Sequence, residues 1–143
     1  MKKGFTLIEL LVVIAVIAMI ISFIFVSAQT AKAKNRDARR EEDMKQIQNA
    51  LTLHETNARR FPLCNTEVVI EGTTDCLSQV LVASGAILGV PTDPLGKSQG
   101  ICGQVSSFVY CYQSTDGFSY TLRYALETNS IPGKSAGWQS VNP

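Results

Sequence analysis

A carboxylate stands where carboxylates are costly. Residues 5–28 hold 20 apolar side chains in 24 positions, interrupted by Thr6, Glu9, Ser22 and Ser27 alone. An acid inside such a block costs about 2.5–3.5 kcal/mol on insertion scales, so Glu9 calls for a specific partner. A cation in the same medium of low dielectric would answer that need. The second chemistry belongs to the four cysteines, Cys64, Cys76, Cys102 and Cys111. No C-x-x-C spacing occurs and no histidine lies near them, which disfavours zinc and favours disulfides. Four cysteines allow three connectivities. The local pairs 64–76 and 102–111 are favoured, because short loops close easily and each pair brackets one structural unit. Catalytic patterns are missing. No Ser/His/Asp set, nucleophile elbow, P-loop or metal-ligand spacing stands out, so the chain is read as no enzyme, with no cofactor and no metal.

These residues must be held by elements that the rest of the chain specifies. As a helix, 24 residues reach about 36 Å, enough for a hydrocarbon core of about 30 Å. Lys2 and Lys3 precede the block and argue for a cytoplasmic N-terminus. A secretory signal peptide cut after Val26-Ser27-Ala28, a plain single-pass anchor and a buried core helix are the competing readings. Each leaves Glu9 unexplained. No proline occurs before Pro62 and no glycine between Phe5 and Glu71, so the helix is expected to continue. Residues 29–60 hold 13 of the 25 charged residues in the chain. Met44, Ile47, Leu51, His54, Ala58 and Phe61 form a stripe at helical spacing, with Glu41 and Lys45 paired at i,i+4. His54 is read as a packing or boundary residue. Arg36, Arg39, Arg40, Arg59 and Arg60 interleave with Asp37, Glu41, Glu42 and Asp43, the pattern of a solvated, salt-bridged helix. Nucleic acid is a conceivable partner that this balance does not indicate.

Phe61-Pro62 ends the helix. Residues 61–143 hold all five prolines, nine of the ten glycines and all four cysteines, the mark of a compact head. Residues 74–85 predict a short capped helix, and residues 91–96 a turn. Phe118, Tyr120, Leu122, Tyr124 and Leu126 alternate with polar residues. With residues 108–112 and Asp116-Gly117 they predict an antiparallel hairpin, its tyrosines on the sheet surface.

The opening Lys2-Lys3-Gly4-Phe5-Thr6-Leu7-Ile8-Glu9-Leu10 resembles the N-terminal signature of type IV prepilins and of type II secretion pseudopilins. The resemblance covers about the first 30 residues. It implies that a prepilin peptidase cuts after Gly4 and methylates the new N-terminus at Phe5, and that Glu9 is the assembly glutamate. The implied fold is α+β, the pilin fold: a long N-terminal helix packed on a small antiparallel sheet. Its parts are a leader (1–4), a transmembrane and filament-core helix (5–28), an amphipathic continuation (29–60) and a globular head (61–143). The implied product is a structural filament subunit, a homo-oligomer built with an assembly platform protein, an ATPase and minor pilins. It begins in the bacterial cytoplasmic membrane as a single-pass precursor and ends in an extracellular or periplasmic filament. A pilus subunit for adhesion, motility or DNA uptake is favoured over a secretion pseudopilin, and both over a secreted or anchored binding module. Some pseudopilins bind calcium in the head, where Asp75, Asp93 and Asp116 would be the available acids, although their spacing resembles no EF-hand loop. Asp93-Pro94 resembles the region before the sheet in major pseudopilins and is read as a turn. The chain departs from the family in lacking glycine or proline near Ala18 and Val26.

Overall fold

A computed structural model describes residues 4–96 and 100–143, with residues 23–26 given through their backbone alone. Lys2, Lys3 and the rest of the leader before Gly4 lie outside the described residues. The elements in order are α1 (Leu7–Ala58), β1 (Cys64–Val69), α2 (Cys76–Ala83), β2 (Cys111–Ser114), β3 (Thr121–Leu126) and β4 (Gly137–Val141). The architecture is α+β and pilin-like, a 52-residue helix followed by a four-stranded antiparallel sheet. Two compact units are distinguished, Met1–Ala33 and Lys34–Pro143. In the first, the apolar side chains of α1 from Leu7 to Ile21 are exposed, Leu7 by 81% and Ile14 by 56%. This part of α1 is long and apolar enough to cross a membrane.

Helix α1 stops where the backbone turns away. Arg59 adopts a left-handed φ of 58°, and the Phe61 N–H donates to the Gly117 carbonyl at 2.8 Å. Asp75 caps α2, accepting from the Ser78 N–H at 2.8 Å, and its other oxygen accepts from the Glu71 and Gly72 N–H groups. Gly85, at φ 71°, follows the end of α2 in the geometry that only glycine adopts without strain. The sheet is a meander in the order β1-β2-β3-β4. The expected hairpin is β2–β3, with Tyr112 opposite Leu122. It is shorter than the alternation suggests: β3 starts at Thr121, and Phe118 is 69% exposed. Strands β1 and β4 give little periodic signal. β1 changes register between Cys64 and Val68, and β4 opens on Gly137.

One apolar cluster unites the second unit. Met44, Ile47, Ala50 and Leu51 of α1 join Leu77 and Leu81 of α2 and Leu122 and Leu126 of β3, all at most 4% exposed. Ala58, by contrast, is exposed at the end of α1, while Phe61 beyond it packs edge-on against Tyr120 with ring centroids 4.8 Å apart. The four tyrosines are core residues, against the expectation of a sheet surface: Tyr110, Tyr112 and Tyr124 are fully buried and Tyr120 is 5% exposed. A tyrosine can be buried when its hydroxyl finds a partner. Tyr110 donates to Asp43 at 2.7 Å, Tyr112 to the Pro62 carbonyl at 2.8 Å, and Tyr124 to Glu41. Burial raises the pKa of all three hydroxyls, that of Tyr124 to about 12.

The stem charges are likewise not simply solvated. Arg40 and Asp37 are completely buried and Asp93 is 5% exposed. The Arg40 guanidinium donates to both oxygens of Asp93 at 2.6 and 3.0 Å, to Asp37 at 2.8 Å and to Glu127 at 2.7 Å. Phe108 lies beneath it at 4.9 Å. Burial opposes the Arg40 charge, but these hydrogen bonds outweigh it and raise the pKa. Asp37 also accepts from the backbone N–H groups of Glu127 and Thr128, and Asp93 from that of Leu95. Asp93 is therefore more than a turn former. Glu41 turns to Lys134 at 2.8 Å and not to Lys45, since the sheet side offers a cation as well as the Tyr124 hydroxyl.

Arg40→Ala leaves two buried carboxylates unpaired, and chemical denaturation of the detergent-solubilised chain should show a loss of about 3–5 kcal/mol. Unchanged stability would contradict the network. Arg36 lowers the Glu127 pKa below its ordinary 4.5, with help from Arg40 and against the cost of burial. A depressed carboxylate pKa gives stability that is present above the unfolded value and lost as pH falls through the folded one. Stability should thus decline below about pH 4.5, and Glu127→Gln should flatten that decline in acid-unfolding curves.

Candidate processing and assembly site

Gly4, Phe5 and Thr6 precede the helix and are exposed, Phe5 by 78%. Helix α1 begins at Leu7 because Thr6 and Glu9 satisfy its first turn between them. The Thr6 N–H donates to Glu9 Oε2 at 2.9 Å, and the Thr6 hydroxyl donates to the same oxygen at 2.7 Å. In return the Glu9 N–H donates to Thr6 Oγ1 at 3.3 Å. This is a reciprocal capping box, which occupies N–H groups that no helical carbonyl can reach. The arrangement also sets a negative charge at the positive end of the helix dipole. Glu9 therefore has a partner inside its own chain. Its signal in the sequence is the spacing Thr6-x-x-Glu9 at the head of an apolar run, a pattern that an isolated acid does not carry. Among the described residues, Glu9 Oε1 takes no hydrogen bond.

Gly4 carries a different message. A Cβ built there meets nothing within 4 Å, and the residue has no positive φ. Nothing in the described chain requires glycine at this position.

The remaining sequence-derived residues lie in the second unit. Cys64 is joined to Cys76, tying the start of β1 to the start of α2. Cys102 is joined to Cys111, tying the loop after residue 100 to β2. Asp75, Asp93 and Asp116 are engaged separately: Asp75 caps α2, Asp93 holds Arg40, and Asp116 accepts from the Phe118 and Ser119 N–H groups at 2.9 Å. Those backbone bonds, that of Ser119 foremost, lower the Asp116 pKa. Glu67 lies within 4.8 Å of the cysteine sulfurs 102 and 111, but it pairs with Arg123 at 3.0 Å and both sulfurs are in a disulfide. His54 is half-buried, with Nδ1 unpartnered among the described residues.

Residues 1–25 match the family model of the prokaryotic N-terminal methylation motif. This motif is the class III signal peptide of type IV pilins and pseudopilins. No curated protein and no solved structure matches the chain. The motif supports a type IV pilin or pseudopilin subunit in general, a structural class. It implies processing by a prepilin peptidase and filament assembly, and with the apolar helix it fits a membrane-anchored precursor.

Thr6→Val removes the hydroxyl that receives the Glu9 N–H, a cap loss of about 0.5–2 kcal/mol. Amide exchange at Glu9, measured by NMR in micelles, should quicken by about two- to thirtyfold. An unchanged rate would remove the capping box from the account.

Proposed function

We propose that the chain is the structural subunit of an extracytoplasmic type IV pilus-like filament, cut after Gly4, N-methylated on Phe5 and assembled through Glu9. The observation that carries this reading is the N-terminal segment itself. An exposed, non-helical Gly4-Phe5 bond precedes a capped apolar helix, inside the matched methylation motif. Cleavage converts the Phe5 nitrogen into a cation at the edge of the apolar block. Glu9 keeps Thr6 on one carboxylate oxygen and has the other open to the Phe5 amine of an adjacent subunit. A carboxylate accepts at both oxygens, so capping and assembly need not compete. In low dielectric this pairing offsets the cost of each charge and registers one helix against the next.

The exposed apolar side chains of residues 5–22 support the transfer. Moving from lipid into a bundle of like helices exchanges one apolar environment for another, so packing and the charge pair decide the outcome. The segments then divide into leader (1–4), core helix (5–28), stem (29–60) and head (61–143). The peptidase, a platform protein and an ATPase supply the reaction and the work, while this chain is substrate and building block. The disulfide-tied head is suited to an oxidising compartment outside the cytoplasm.

The mature N-terminus tests this reading directly. Mass spectrometry should find N-methyl-Phe5. Gln29 would indicate a secreted module and Met1 a plain anchor. Glu9→Gln retains the capping geometry and removes the charge, so it should leave cleavage intact while abolishing filaments. Normal filaments from Glu9→Gln would refute the charge-pair role. Filaments extending from the cell surface identify a pilus, and short ones confined to the periplasm a type II secretion pseudopilus.

A further inference from the structure

Among the described residues of the unit Lys34–Pro143, the exposed charges of α1 before residue 50 are mostly cations, Lys34, Arg39 and Lys45 against Glu42. Because Glu41 turns inward to Lys134, Lys45 loses the partner its spacing suggested. Lys34 and Lys45 are both exposed, and among the described residues neither forms an ion pair. Eleven residues separate them, about three helical turns, so they share one face of α1 about 16 Å apart. The head offers the opposite sign. Glu71 is exposed, and among the described residues its carboxylate accepts only from the Thr74 hydroxyl at 2.6 Å. It borders a cleft of about 180 Å³ walled by Ile70, Val109 and Tyr110, with Thr92, Asp93 and Gly96 completing the lining. Asp93 is committed to Arg40. Among the described residues, the available charge of the cleft is therefore that of Glu71.

We propose that this cleft receives a stem lysine, from the Lys34–Lys45 face, of a second copy of the chain. A lysine suits it by construction: the four-carbon stem lies along apolar walls while the ammonium reaches a carboxylate at the exposed side. Charge complementarity selects the occupant. The stem face carries unpaired cations, the cleft an unpaired anion, and among the described residues no ion pair joins them within one copy. Two different patches of one chain that fit each other make a head-to-tail contact, which repeats as an open helix when its rotation does not close a ring. The inference rests on the filament reading and gives it a lateral contact outside the apolar core.

The test treats sheared filaments and detergent-solubilised full-length subunits with a water-soluble carbodiimide, which joins carboxylates to amines in direct contact. Digestion and mass spectrometry should find Glu71 linked to Lys45 or Lys34 in filaments at more than ten times the level in subunits. In parallel, Glu71→Lys should cut filament yield at least tenfold with N-methylated subunit in the membrane unchanged. Combining it with Lys45→Glu or Lys34→Glu should restore yield to within threefold of the parent. Wild-type filament yield from Glu71→Lys, an equal link in isolated subunits, or Glu71 linked to another partner overturns the contact. A parent chain that is methylated but forms no filament overturns the filament reading as well, which separates the two failures.

Discussion

A guanidinium with no solvent exposure must be surrounded by acceptors, and that requirement organises the second unit. Arg40 projects from α1 and is held by Asp37 from the turn before it, by Asp93 from the loop after α2, and by Glu127 just beyond β3. Each acid also engages backbone or a second cation. Asp37 holds the N–H groups of residues 127 and 128, Asp93 that of Leu95, and Glu127 takes Arg36 at 2.5 Å. The loops that carry these acids thus have their positions fixed by the same charge that they neutralise. Burying such a cluster earns little net stability compared with an apolar replacement, while breaking it is severe. Its effect is to allow one seating of these loops on α1.

The apolar cluster and the tyrosines act under the same rule from the other side. Leu122 and Leu126 alternate with Arg123 along β3, so one face of the strand enters the core. Tyrosines on this side contribute large apolar rings, and their hydroxyls end on Asp43, Glu41 and the Pro62 carbonyl. Two of these three acceptors are acids of α1. The polar groups of the stem are therefore partners for groups the sheet must bury. The disulfides fasten the segments that periodicity specifies least, the start of β1 and the loop before β2.

The first unit obeys a different constraint. Its described apolar side chains from Leu7 to Ile21 are exposed, and the segment is long and apolar enough to cross a membrane. What the unit does settle internally is its beginning. The Thr6–Glu9 box starts the helix two residues beyond the Gly4-Phe5 bond and leaves that bond in exposed chain outside the helix.

Sequence alone determined whatever depends on local pattern. The apolar block with its acid, the uninterrupted helix, the turn at Asp116-Gly117 and the alternation of β3 follow from spacing, propensity and side-chain period. The methylation motif is likewise a run of adjacent residues. Tertiary structure decided which polar groups are buried. Arg40 and Arg39 are neighbours of one type, and only the packing of distant loops makes one a fully enclosed hub and leaves the other exposed. The same holds for Glu41, whose partner is Lys134, 93 residues away, in place of Lys45 four residues on. β1 and β4 also waited for the fold, since an irregular strand is defined by the neighbour it pairs with. A charge pattern records which partners are available along one helix, and long-range packing determines which of them come within reach.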